Sequence, residues 1–132
     1  MRPLSLIALS LSCAIALAPA AHAADAKRGK RIVKRCTVCH SLVAGKKKIG
    51  PSLYAVVGRK AGTMKGYRYS PAMRAASAKG LVWSKDNLAG YLSNPKKYLA
   101  KVNGKTMSNK MPFKLTKAKD RGDAIAFLET VK

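Results

Sequence analysis

Apolar residues fall into one continuous block near the start of the chain and into helically spaced groups after it. Leu4 to Ala18 is almost wholly apolar (LSLIALSLSCAIALA). It follows Met1-Arg2, is broken by Pro19, and closes on Ala21-His22-Ala23, the small-x-small pattern a signal peptidase cuts after. About 15 apolar residues fall short of the ~20 that a bilayer core requires. Residues 1–23 therefore read as a secretory signal cleaved after Ala23, and 24–132 as one domain. Cys13 does not make a lipoprotein signal, because Ser10 stands where such a signal has Leu. Beyond the leader the spacing is helical. Asp25 caps a first helix over roughly 26–39, with Gly29, Ile32 and Val33 facing inward. A turn-rich stretch, Gly45 to Pro51, precedes a short apolar segment (SLYAVV) and a loop from Gly58 to Gly62. Ser70-Pro71 opens a short helix ending near Gly80, Ser84 caps one from about Lys85 to Ser93, and Asn94-Pro95 starts another. Residues 100–110 read as an exposed loop. The last helix, about 117–131, carries Ala124, Ile125, Phe127, Leu128 and Val131 as an apolar stripe. No repeat or linker interrupts the domain, so the pattern predicts a single all-α unit.

Charge changes the picture. Lys and Arg number 27 against 5 Asp and Glu, a formal +22, of which the leader holds only Arg2. With 48% hydrophobic residues the chain is no disordered polycation. Aromatic residues are only 6%, lean for the core of a domain that must also resist its own charge.

The candidate chemistry sits in one place. Once the leader and its Cys13 and His22 are removed, the remaining soft ligands are Cys36, Cys39 and His40, inside Cys36-Thr-Val-Cys-His40. A dithiol redox motif wants a βαβ context, which this chain lacks. Zinc wants four ligands, usually from two separated pairs, and no second Cys or His pair exists. A plain Cys36–Cys39 disulfide leaves the histidine unexplained. Haem attachment uses all three: two thiols, three residues apart, add to the porphyrin vinyl groups and the adjacent imidazole turns onto the iron. A flat apolar cofactor would also supply the core that the sequence lacks, so the chain without haem is expected to fold poorly.

Six ordered blocks carry a wider likeness: GKRIVKRCTVCHS, GPSLYAVVGRKAGT, GYRYSPAM, KGLVWSKDNLAGYLSNPKKYL, KMPFKL and DRGDAIAFL. Over 25–131 the chain resembles the class I c-type cytochromes, and among them the bacterial periplasmic type called c-two. The resemblance implies a small monohaem fold whose N- and C-terminal helices cross around one haem c, covalent through Cys36 and Cys39. It implies His40 as one axial ligand. Met111, in a run similar to the family's ligand loop, is implied as the other, with Met107 its rival and Met64 and Met73 as packing residues. Pro51 resembles the proline that orients the axial imidazole. Arg59, Tyr69 and Trp83 resemble the residues that bind the buried propionate, and Tyr91 the tyrosine near the methionine sulfur. Gly29 resembles the glycine of the helix crossing, with Phe127 or Ile125 opposite. Val33 and Phe127 depart from the pattern, where relatives carry an aromatic and a tyrosine.

These implied roles describe a carrier and not an enzyme. Iron closed by His and Met has no open position, so the expectation is a monomeric periplasmic one-electron shuttle. Its donor would be a quinol-oxidising (cytochrome bc-type) complex, and its acceptor an oxidase or photosynthetic reaction centre. Lys46, Lys47, Lys48, Lys96, Lys97, Lys110 and Lys114 would steer it onto acidic partner faces. Two alternatives stand beside it: a haem protein with a labile sixth ligand, ligand-binding or peroxidatic, and a polycationic module for anionic surfaces. Lys outnumbers Arg and the chain is exported, which disfavours specific nucleic acid. No long basic amphipathic helix is expected, so attraction to anionic membrane would be weak.

Overall fold

The computed structural model describes residues 23–132; the expected leader, Ala23 apart, lies outside the described residues. Five helices follow one another: α1 (Ala26–Val33), α2 (Pro71–Ala78), α3 (Lys85–Ser93), α4 (Pro95–Asn103) and α5 (Ala118–Leu128). The first four begin where a polar side chain can take a free helical N–H. Asp25 accepts from Arg28, Ser70 from Met73, Ser84 from Asn87 and Asn94 from Lys97. Pro71 and Pro95 occupy first positions, where a missing N–H costs nothing. The caps expected at Asp25 and Ser84 are thus formed, and the helices expected to open at Ser70-Pro71 and Asn94-Pro95 do so with Ser70 and Asn94 as caps.

Three boundaries differ from expectation. α1 stops at Val33 and a separate 3-10 turn covers Cys36–Val38, because Thr37 and Val38 are β-branched and the Thr37 hydroxyl takes the Lys34 carbonyl at 2.8 Å. Residues 100–103 are helical, since α4 runs on to a buried Asn103 before Gly104 ends it at φ 75°. α5 ends at Leu128; the Val131 carbonyl instead receives the Ala55 N–H at 2.8 Å.

α1 crosses α5, α3 packs on α5 and α4, and α2 packs on α4. Gly29 makes the crossing possible. A Cβ there would collide with the Asp123 backbone carbonyl and come within 2.9 Å of the Phe127 Cβ. Phe127 thus stands opposite Gly29 as expected, and Asp123 joins it there without any signal in the sequence. Val33, Ala124, Ile125 and Leu128 are buried around this contact, while Ile32 and Phe127 are half-buried.

A polar network closes the same crossing. Asp123, 1% exposed, accepts from the Asp25 N–H at 2.8 Å and from Arg28, which also reaches Asp120, while Lys119 lies 3.3 Å away. The Asp25 N–H, with Arg28 and Lys119, holds the Asp123 carboxyl down to about 2 against the opposing effect of burial. The folded value lies below the ordinary ~3.9, so this stabilisation is complete above that pH and disappears as pH falls through about 2. Asp123→Asn is therefore expected to lessen the pH dependence of thermal stability in that window. An unchanged profile would remove the network from the account.

Apart from the 3-10 turn at Cys36–Val38, the chain between α1 and α2 is loop. Its one pairing, Lys60 with Val82, is extended by Gly58 N–H to the Trp83 carbonyl and Trp83 N–H to the Arg59 carbonyl. This short ladder sets Arg59 beside Trp83. No helix among the described residues is long and apolar enough to cross a membrane.

Candidate haem site

The early end of α1 shapes the pentapeptide. Cys39 N–H and His40 N–H both donate to the Cys36 carbonyl, at 3.1 and 2.9 Å, a tight turn presenting two half-buried free thiols and an imidazole. Burial pushes the Cys36 thiol up, against the pull of Arg35. A thiol so placed is poorly suited to exchange chemistry, which needs thiolate. No three His, Cys, Asp or Glu side chains among the described residues group as ligands of one ion. Zinc therefore has no donor set here.

His40 is oriented from behind. Its Nδ1 lies 2.7 Å from the Pro51 carbonyl oxygen and donates to it, which leaves the Nε2 lone pair free. Burial lowers the imidazole pKa, more than the Pro51 carbonyl raises it, and Lys48 lowers it further. The balance favours the neutral ring, the form that binds a metal. Gly50 is buried against it: a Cβ at 50 would sit 2.6 Å from Nδ1. The turn is fastened by Gly50 N–H to the Cys39 carbonyl (2.7 Å) and Leu53 N–H to the Ser41 carbonyl (2.8 Å).

The other expected residues stand as follows. Arg59 donates to the Tyr54 and Ser52 carbonyls at 2.9 and 2.8 Å, which leaves three of its five N–H groups for another acceptor. Tyr69 lies close enough to act on Arg59 electrostatically, and its hydroxyl accepts the Met64 N–H at 3.2 Å. Trp83 and Tyr91 are buried with ring centroids 4.8 Å apart. Burial raises the Tyr91 hydroxyl pKa strongly, with a smaller push from Tyr67, so the phenol stays protonated.

Met107 and Met111 are both half-buried and both line an open groove of about 810 Å³ beside α4, so burial does not choose between them. Their neighbours differ. Next to Met111, Lys110 donates to the Arg68 carbonyl at 2.6 Å, and two residues on Phe113 lies under the Arg35 guanidinium at 5.0 Å. Segment 66–68 also meets the histidine loop, through Lys47 to the Gly66 carbonyl (2.7 Å) and Tyr67 to the Ile49 carbonyl (3.0 Å). Next to Met107, the Ser108 carbonyl instead binds Ala72 on α2. Met64, expected only to pack, accepts the Ser52 N–H on its sulfur at 3.0 Å, whereas Met73 is buried in the core. No spacing in the sequence points to Met64.

These features fit a haem c: two half-buried free thiols, an oriented imidazole, thioethers, and an Arg59 with free donors near the buried Trp83 and Tyr91. Residues 26–132 match the Cytochrome c family. Cytochrome c2 of Rhodopseudomonas palustris is 44% identical over 115 residues, covering 82% of this chain and 99% of that protein. The structure of ferricytochrome c2 from Rhodopseudomonas palustris superposes with a TM-score of 0.74 at 42% identity, covering 82% of this chain and 99% of that one. Cytochrome c2 from Rhodospirillum centenum gives a TM-score of 0.77 at 35% identity, over 81% and 98%. The chain belongs to the cytochrome c family: it carries one covalently bound haem c and transfers electrons, and it is not an enzyme.

Proposed function

We propose that this is a periplasmic one-electron carrier whose haem is held by Cys36 and Cys39 and ligated by His40 and Met111. The observation that carries the choice of Met111 is its place between two anchors. Lys110 is tied to the segment that also meets the histidine loop, and Phe113 lies under Arg35, next to Cys36. When bound, the haem supplies the Fe(III)/Fe(II) couple. The protein's own work is positional: Pro51 fixes the imidazole, and a neutral soft thioether favours the reduced state. Arg59, Tyr69 and Trp83 would meet the buried propionate, with Tyr91 near the methionine sulfur. A buried carboxylate is costly unpaired, and Arg59 has donors left. With His40 and Met111 both holding the iron, no coordination place would remain for a substrate, which disfavours the ligand-binding and peroxidatic alternative. In the ferric holoprotein, the long-wavelength absorbance band of sulfur–Fe(III) ligation is expected to vanish in Met111→Ala and persist in Met107→Ala. The opposite pattern would make Met107 the ligand, and a wild type without the band would favour the labile-ligand reading.

The leader expected at 1–23 and the likeness to bacterial cytochromes c2 support the periplasm. A quinol-oxidising complex as donor and an oxidase or reaction centre as acceptor fit a carrier of this kind. Lys46, Lys47, Lys48, Lys96, Lys97, Lys110 and Lys114 are all exposed. None forms an ion pair with a described residue. Such uncompensated charge steers a short-lived complex with an acidic partner face. Electron-transfer rates with a membrane partner are therefore expected to fall steeply as the Debye length shrinks from ~10 Å at 0.1 M salt to ~3 Å at 1 M. A flat salt profile would count against steering.

A further inference from the structure

The Pro51 carbonyl and the Ser52 N–H are the two ends of one peptide group. The oxygen end receives the His40 Nδ1–H at 2.7 Å, and the N–H end points to the Met64 sulfur at 3.0 Å. Every other polar group of Ser52, a residue 1% exposed, is committed elsewhere. Its carbonyl takes Arg59, and its hydroxyl donates to the Val43 carbonyl at 2.7 Å and accepts the Tyr54 N–H at 3.1 Å. Ser52 is thus held in place, and the sulfur is what satisfies its amide. Met64 is itself held, because its own N–H donates to the Tyr69 hydroxyl at 3.2 Å.

We propose that Met64 is a positioning residue for the axial histidine: its thioether, through the Pro51–Ser52 peptide, sets how strongly the Pro51 carbonyl draws on the His40 Nδ1–H. The inference rests on His40 being the iron ligand. The physics is polarisation along a chain of hydrogen bonds. An acceptor on the N–H end of a peptide leaves its oxygen more electron-rich. A richer oxygen pulls harder on Nδ1–H, which makes Nε2 a stronger donor. A stronger axial donor favours Fe(III) and lowers the midpoint potential. Sulfur is a weak acceptor, so the native setting is intermediate between no acceptor and an amide oxygen.

Leucine has nearly the shape of methionine and no acceptor, and glutamine has a similar reach with a stronger one. In the holoprotein, Met64→Leu is expected to raise the midpoint potential and speed hydrogen exchange of the Ser52 amide several-fold. Met64→Gln should return both to the wild-type value or past it. Met73→Leu, a change of the same size in the core, should move neither. Faster Ser52 exchange with an unmoved potential would overturn the proposal, as would an equal shift in Met73→Leu. The ligand reading is checked separately: the His40 ring protons of the ferric wild type should be hyperfine-shifted. Their absence from that region would remove His40 from the iron, and the proposal with it. Shifted His40 protons with a Met64→Leu potential unchanged would overturn the proposal alone.

Discussion

With Cys36 and Cys39 both replaced by alanine, the chain emerges from cells competent in c-type haem maturation without covalent haem and without a cooperative unfolding transition. The thiols are free and half-buried on a single tight turn, and no cysteine elsewhere among the described residues could substitute. The loss of fold follows from the core. Its buried apolar set includes Ala61, Ala72, Ala76 and Ala124, and its only aromatics below a tenth exposed are Trp83 and Tyr91. Phe113, Phe127, Tyr69 and Tyr98 are only half-buried. A domain of this size is marginal even with a full core, and this one also bears nearly all of a formal +22. Haem that survives acidic organic extraction of the double variant would refute the attachment. A sharp thermal transition in the haem-free chain would refute the dependence of the fold on it.

Gly29→Val is expected to destabilise the holoprotein by about 3 kcal/mol or more, lowering Tm by roughly 10 °C or more. The new side chain has nowhere to go. Its Cβ alone would overlap the Asp123 carbonyl, part of the α5 backbone, and crowd the Cβ of Phe127. Separating the helices would also break the links from Asp25 and Arg28 to Asp123. Gly122, on α5, is the internal contrast. A Cβ there meets only the Ala24 Cβ at 4.0 Å, so Gly122→Ala should stabilise by roughly 0.5–1 kcal/mol through helix propensity. Equal effects in thermal melts of the two variants would show that close approach is not what Gly29 provides.

Much of this molecule was legible because its signals are local. Asp25, Ser70, Ser84 and Asn94 each bind an N–H three residues on, so the helix starts are written in short stretches of chain. The errors came where local signals conflict. Ile32 and Val33 continue a helical pattern into Cys36–Cys39, yet the β-branched Thr37 and Val38 favour the tighter turn. Residues 100–110 are polar enough to read as loop, but burial of Leu99 and Asn103 holds the helix until Gly104. Met107 and Met111 look alike from composition, and only their neighbours' partners separate them.

By itself the sequence determined the all-α class, the helix starts and the Cys36–His40 pentapeptide as the one cluster of soft ligands, because each depends on residues within a few positions of one another. Tertiary structure alone decided what stands behind the His40 imidazole and what closes the fold. The His40–Pro51 and Met64–Ser52 bonds span 11 and 12 residues, and the Asp25–Asp123 bond spans 98. No spacing rule reaches across such separations. They exist only because packing α1 on α5, and folding the loop over the imidazole, bring those groups together.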